Sequence, residues 1–129
     1  MRLIQMFLPL LFVSSVFATP AKAVESELIA KNLCRAVMSD DRSYLREIIT
    51  KHKLRLPNVF TAVRCNGYSM LQFAITAEAL DVGEMLIRRV PLSVLEADKV
   101  NGKRVDEWAE KAGYGSSPVI AIVRERLGK

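Results

Sequence analysis

Two Asn-Gly pairs, Asn66-Gly67 and Asn101-Gly102, stand 35 residues apart, and each opens onto an apolar stripe at helical spacing. Asn-Gly is a strong turn signal, because both residues tolerate positive φ. Any fold of this chain must therefore turn tightly at both points and continue each time into the same kind of element. Sliding the chain by 35 residues lays Phe73 on Trp108 and Ala74 on Ala109. A further copy upstream lays Ala36 on Ala74, with SYLREII over DVGEMLI. The copies share a layout more than they share residues. A helix pair of this length cannot bury its apolar faces alone, so stacking on neighbours is the physical reason to repeat.

Six stretches carry apolar residues at three- and four-residue steps, the stripe of an amphipathic helix. The first is Leu28, Ile29, Leu33, Ala36 and Val37, and the second is Tyr44, Leu45, Ile48 and Ile49. Met70, Leu71, Phe73, Ala74 and Ala77 form the third; Leu80, Val82, Met85, Leu86 and Val90 form the fourth. Val105, Trp108, Ala109 and Ala112 make the fifth, ending at Gly113, and Val119, Ile120, Val123 and Leu127 the last. Asp40 or Asp41 is placed to cap the second helix. Pro57 and Pro91 stop the helices before them. The segments RLPNVFTAVRC (55–65) and 93–97 read as connectors with one helical turn each. No stretch alternates with a two-residue period for long. The pattern predicts an all-α fold of six helices in three stacked pairs, with Phe73 and Trp108 both in the core.

The first residues bound the location. Arg2 is a short basic start, Leu3 to Phe17 is apolar with few interruptions, and Ala21-Lys22-Ala23 offers small residues to a signal peptidase. The apolar run of about 15 residues falls short of the roughly 20 needed for a spanning helix. Residues 1–23 are therefore expected to be a cleaved secretory signal, with Ala18 as the second choice of site. No lipid anchor is expected, because no cysteine follows either site. Residues 24–129 then form a single domain in the periplasm or outside the cell. Losing Arg2 and Lys22 lowers the formal net charge from +5 to +3. That bias is too weak to imply nucleic acid. Both cysteines lie beyond the signal, and an even count in an oxidising compartment favours one disulfide.

NGYSMLQFAITAEALDVGEMLI resembles the ankyrin repeat, with its Asn-Gly turn, Thr-Pro-Leu-His corner and apolar second helix. Ser69 stands in the threonine place, Met70 in the proline place, Leu71 in the leucine place and Gln72 in the histidine place. NGKRVDEWAEKAG resembles the last repeat of such arrays. The departures are that neither copy has Thr-Pro, that Asp106 replaces the corner leucine, and that YGSSP adds residues before the final helix. The resemblance implies three degenerate ankyrin-like helix pairs stacked as a short array, the alternative being a generic small helical bundle. A narrower resemblance rests on Leu33-Cys34 followed by Cys65-Asn66-Gly67. This pattern is similar to that of short exported bacterial proteins classed as domain of unknown function 3718, and it implies an envelope or secreted location with no known activity.

In the ankyrin register Cys34 takes the corner-histidine place of the first repeat, and Cys65 immediately precedes the turn into the second. A Cys34–Cys65 bridge there replaces a hydrogen bond between repeats. Gln72 and Glu107 take the equivalent places in the later copies and can still hydrogen-bond. Closing a loop of about 32 residues stabilises by roughly 3 to 4 kcal/mol on the chain-entropy model.

A reactive cysteine is the sharper alternative. His52 is the only histidine, and no acid is placed to orient it as a base for Cys34. It sits in KHKLR, where a solvated helix end is the ordinary explanation. Cations gather at Lys51, Lys53 and Arg55, at Arg88 and Arg89, and at Lys99, Lys103 and Arg104. Those at the ends of second helices offset the helix dipole. Together they are the weak candidates for a surface that meets an acidic partner or an anionic envelope surface. One histidine and two bridged cysteines do not make a metal site, no glycine-rich phosphate loop exists, and no cofactor is expected. The chain is expected to be a non-catalytic protein-interaction module with an unidentified protein partner and no membrane span after signal removal. The alternatives are a thiol-disulfide participant, or an immunity or inhibitor protein for a secreted partner.

Overall fold

The computed structural model describes residues 21–128. Of the segment read as a secretory signal, residues 1–20 lie outside the described residues, and Ala23 falls in the first turn of helix α1 (Ala21–Met38). Helix α2 (Arg42–Lys51), a short α3 (Leu56–Ala62) and a hairpin of β1 (Arg64–Cys65) and β2 (Tyr68–Ser69) follow. The same order then repeats. Helices α4 (Met70–Thr76), α5 (Leu80–Arg89) and α6 (Leu92–Ala97) lead to a second hairpin, β3 (Lys99–Val100) with β4 (Lys103–Arg104). Helices α7 (Val105–Lys111) and α8 (Pro118–Arg126) close the described chain. Helix α1 packs on α2, α4 on α5, and α7 on α8. Successive pairs stack through α1 on α4 and α4 on α7, and through α2 on α5 and α5 on α8.

One capping geometry recurs at the turn inside each pair. Asp40, Glu78 and Gly113 all take positive φ (52°, 54° and 92°). The next residue's N–H reaches back to an alanine carbonyl each time: Asp41 to Ala36 (2.9 Å), Ala79 to Ala74 (2.8 Å) and Tyr114 to Ala109 (2.7 Å). This is the six-to-one bond of a Schellman-type helix end. All three alanines are fully buried. The spacings that align the sequence copies are thus the spacings of a repeated backbone.

The described chain has eight helices, where the stripes predict six, and it is not purely helical. Pro57, read as a stop, sits at the start of α3, where its missing N–H costs nothing and its fixed φ suits the first turn. Pro91 likewise precedes α6. The two hairpins pair Arg64 with Ser69 and Cys65 with Tyr68, then Lys99 with Arg104 and Val100 with Lys103. At each tip both central residues have positive φ, 53° and 83° at Asn66-Gly67 and 51° and 77° at Asn101-Gly102, which matches the tight turn that joins twisted strands. Strands of two residues are too short to leave an alternating pattern in the sequence.

The stripes find most of the core. Leu33, Val37, Leu45, Met70, Leu71, Leu86 and Ile120 are fully enclosed. Leu28 is a correction: it is 57% exposed, as is its neighbour one turn earlier, Val24, at 55%. At 1.5 Å per residue α1 is about 27 Å long and α2 about 15 Å, so the first turns of α1 overhang their partner. Trp108 packs against the core as expected but stays half-buried at its edge, while Phe73 is buried.

Candidate functional site: the disulfide and the cleft above it

Cys34 lies on α1 one residue past the buried Leu33, and Cys65 ends β1 at 2% exposure. Their sulfurs are bonded, with Cα atoms 5.6 Å apart, inside the usual disulfide range. The bond ties the first helix of layer one to the hairpin that leads into layer two. No free cysteine remains, and His52 closes α2 through its backbone N–H to Ile48.

The Cys34 side of the bond faces a cleft of about 460 Å³. One wall is a row on α1, Glu27, Lys31, Arg35 and Met38, spaced by three and four residues so that all face one way. The opposite side is Arg64 and Asn66 of the hairpin, and Phe73 of α4 completes the lining. Met38 is 60% exposed. Sequence reasoning missed this cleft. The spacing of Glu27, Lys31 and Arg35 was visible, but it is also that of any solvated helix face.

Between layers two and three no covalent bond exists, and a polar network takes its place. The Ser69 backbone N–H donates to Gln72 Oε1 (2.8 Å), and the Gln72 N–H donates to Ser69 Oγ (3.1 Å), a reciprocal capping box at the start of α4. The Ser69 hydroxyl donates in turn to Asp98 Oδ2 across the layer boundary (2.9 Å). Burial pushes the Asp98 carboxyl above its ordinary pKa, against the pull of the Ser69 hydrogen bond and the Arg64 charge. Gln72 therefore bonds within its own turn, and Glu107 is exposed.

The third layer begins with a bidentate pair, Arg104 Nε to Asp106 Oδ1 (2.9 Å) and Nη2 to Oδ2 (3.1 Å). The Asp106 hydrogen bond raises the Arg104 pKa further. Asp106 stands where the repeat resemblance expects leucine, and its carboxylate is buried against that guanidinium. Trp108 is flanked by Tyr68 of β2 and Tyr114, both with ring centroids 5.9 Å away. Lys111 lies close enough to Lys103 to lower the Lys103 pKa.

The basic residues singled out from sequence lie elsewhere. Lys51 and Arg88 with Arg89 occupy the last turns of α2 and α5, as their helix-end reading expects. Arg88 pairs with Glu84 at 2.9 Å within α5, and both are exposed enough for that pair to contribute little. Arg89 meets Arg46 and Thr50 over an indentation of about 480 Å³ between α2 and α5. Lys53 and Arg55 are exposed between α2 and α3. Among the described residues no helix is long and apolar enough to cross a membrane, and no cluster of three metal-ligating side chains occurs.

A small layered helical domain whose first two layers are joined by one disulfide is the class these features define. Residues 33–97 match the family described as protein of unknown function (DUF3718), and the chain belongs to it. The matched span holds both cysteines and ends with α6, before the second hairpin. No curated protein and no solved structure matches the chain.

Proposed function

We propose that this chain is an exported, non-catalytic module for protein–protein recognition, built as three degenerate ankyrin-like layers and working in the periplasm or outside the cell. The location is supported by the secretory grammar of residues 1–23, and the disulfide is compatible with an oxidising compartment. The observation that carries the recognition reading is the cleft above the disulfide. A cross-linked layer boundary holds apolar surface beside exposed charged side chains, an arrangement that suits receiving a side chain. Chemical cross-linking of the tagged full chain in the bacterial envelope tests it. The expected result is one protein partner joined reproducibly and lost when the chain is unfolded first. A tightly held small molecule with no cross-linked protein overturns it. A single, very tight secreted partner would mark the chain as an immunity or inhibitor protein.

One observation favours a second reading, that of a thiol-disulfide participant. Cys34 is only half-buried and lines an open cleft, so an incoming thiolate has a path to its sulfur. The reduction potential of the bond separates the two readings. A value near those of dedicated oxidants counts against a passive staple, and a value well below the glutathione range supports one.

A further inference from the structure

We propose that the cleft above Cys34–Cys65 receives an acidic segment of the partner protein, with one apolar side chain inserted over the disulfide. This rests on the recognition reading above and names the chemistry of what is recognised.

The charge around the cleft is unbalanced. Lys31, Arg35 and Arg64 line it against a single carboxylate, Glu27, with the Arg64 charge shared with Asp98 outside the cleft. Among the described residues neither Lys31 nor Arg35 forms an ion pair, so both are open to an incoming carboxylate. Two cations one helical turn apart repel one another, by a few tenths of a kcal/mol for such pairs. An incoming carboxylate relieves that repulsion.

The floor asks for something else. Ala30, the disulfide and Phe73 supply apolar surface, and Met38 adds a flexible thioether at the edge. The volume lies within the roughly 300–1,000 Å³ range of ligand pockets, enough for a large apolar side chain with its flanking backbone. An anionic bilayer surface is a poorer fit, because a flat array of headgroups cannot fill a concavity whose cations sit on its rim. A peptide with an apolar anchor between carboxylates meets both demands at once. Because the rim cations are exposed, attraction should steer association and fade with salt.

The test uses the disulfide-bonded full chain recovered from its own compartment, followed by NMR. Three probes are added separately: a blocked peptide with one leucine between pairs of glutamates, the same peptide with lysines for glutamates, and phosphatidylglycerol vesicles. The expected result is binding of the glutamate peptide alone, with shifts centred on Lys31, Arg35, Met38, Arg64 and Phe73. Raising the salt should weaken it, and serine in place of the leucine should weaken it further. Arg35→Glu and Lys31→Glu should each weaken binding about tenfold, equivalent to 1.4 kcal/mol, with circular dichroism unchanged. Equal binding of both peptides, shifts centred elsewhere, or binding of vesicles alone overturns the proposal. A partner captured from the envelope that leaves Arg35 and Lys31 unprotected also overturns it, while leaving the recognition function standing.

Discussion

Ser69 takes part in three hydrogen bonds at once, its hydroxyl accepting from the Gln72 backbone N–H, its own backbone N–H donating to the Gln72 side chain, and its hydroxyl donating to Asp98. The pKa of Asp98 is raised chiefly by burial. A carboxyl whose folded pKa exceeds its unfolded value binds protons more tightly when folded. Its stabilising contribution is therefore present below about pH 3.9, the unfolded value, and is lost as pH rises through the raised one. Asp98→Asn keeps an acceptor for the Ser69 hydroxyl and removes the partly buried charge. Urea titrations at several pH values should show that variant at least as stable as the parent near pH 7, with a flatter acid-side profile. Asp98→Ala leaves the hydroxyl without its acceptor and should cost about 1 kcal/mol. Gly83 is a residue-scale constraint of another kind. A Cβ there would sit 2.9 Å from Val119 Cγ1, where α5 crosses α8. Gly83→Ala should lose about 1–3 kcal/mol to overpacking, partly offset by about 1 kcal/mol of helix propensity. Thermal denaturation should find the cost smaller in the presence of Val119→Ala, since the two positions touch.

Helix α5 shows how an element is completed by its neighbours. It has no side-chain cap of its own at Ala79. Its Val82 N–H donates instead to Asp40 Oδ1 (2.8 Å), from the turn of the first layer. At its other end the Ile87 carbonyl accepts from Arg126 of the last helix. Asp41, the neighbour of Asp40, caps its own helix through the Tyr44 N–H (2.9 Å). Asp40-Asp41 was legible as a cap signal, but the sequence could not divide the labour, because one of the two bonds crosses 42 residues of chain. Asp40→Gly, which keeps the positive φ of this turn, should cost about 0.5–2 kcal/mol, the range for a lost cap, and hydrogen exchange should locate the loosening in the first turn of α5 rather than in α2. An effect confined to α2 would contradict the cross-layer assignment.

At the scale of the molecule the two layer boundaries are held differently. The first carries the covalent bond between Cys34 and Cys65, while the second is held without one, by contacts that include the Ser69–Asp98 hydrogen bond, the Arg126 contact, the Tyr68–Trp108 ring pair and packing. Replacing both cysteines by alanine should lower stability by roughly 3–4 kcal/mol for a loop of about 32 residues, read from urea unfolding of the variant against the oxidised parent. For a single small domain that is a large share of the total. Native-state exchange should also find α7 and α8 opening at lower free energy than α4 and α5, because each end layer of a stack has one neighbour and the last one lacks the staple. Equal protection across all three layers would contradict that picture.

The helical stripes, the two tight turns and the spacing of the copies were legible in the chain, because each follows from local backbone preference or from a short periodic pattern, and the pairing of two cysteines was legible from their even count beyond a secretory signal. The two-residue strands, the full length of the short helices that the connector turns after Pro57 and Pro91 became, and the exposure of Leu28 were not. Nor was the cleft of Lys31, Arg35, Met38, Arg64 and Phe73. Those depend on which surfaces meet when the layers stack, and a surface formed by α1, a hairpin and α4 together has no signature in any one of them.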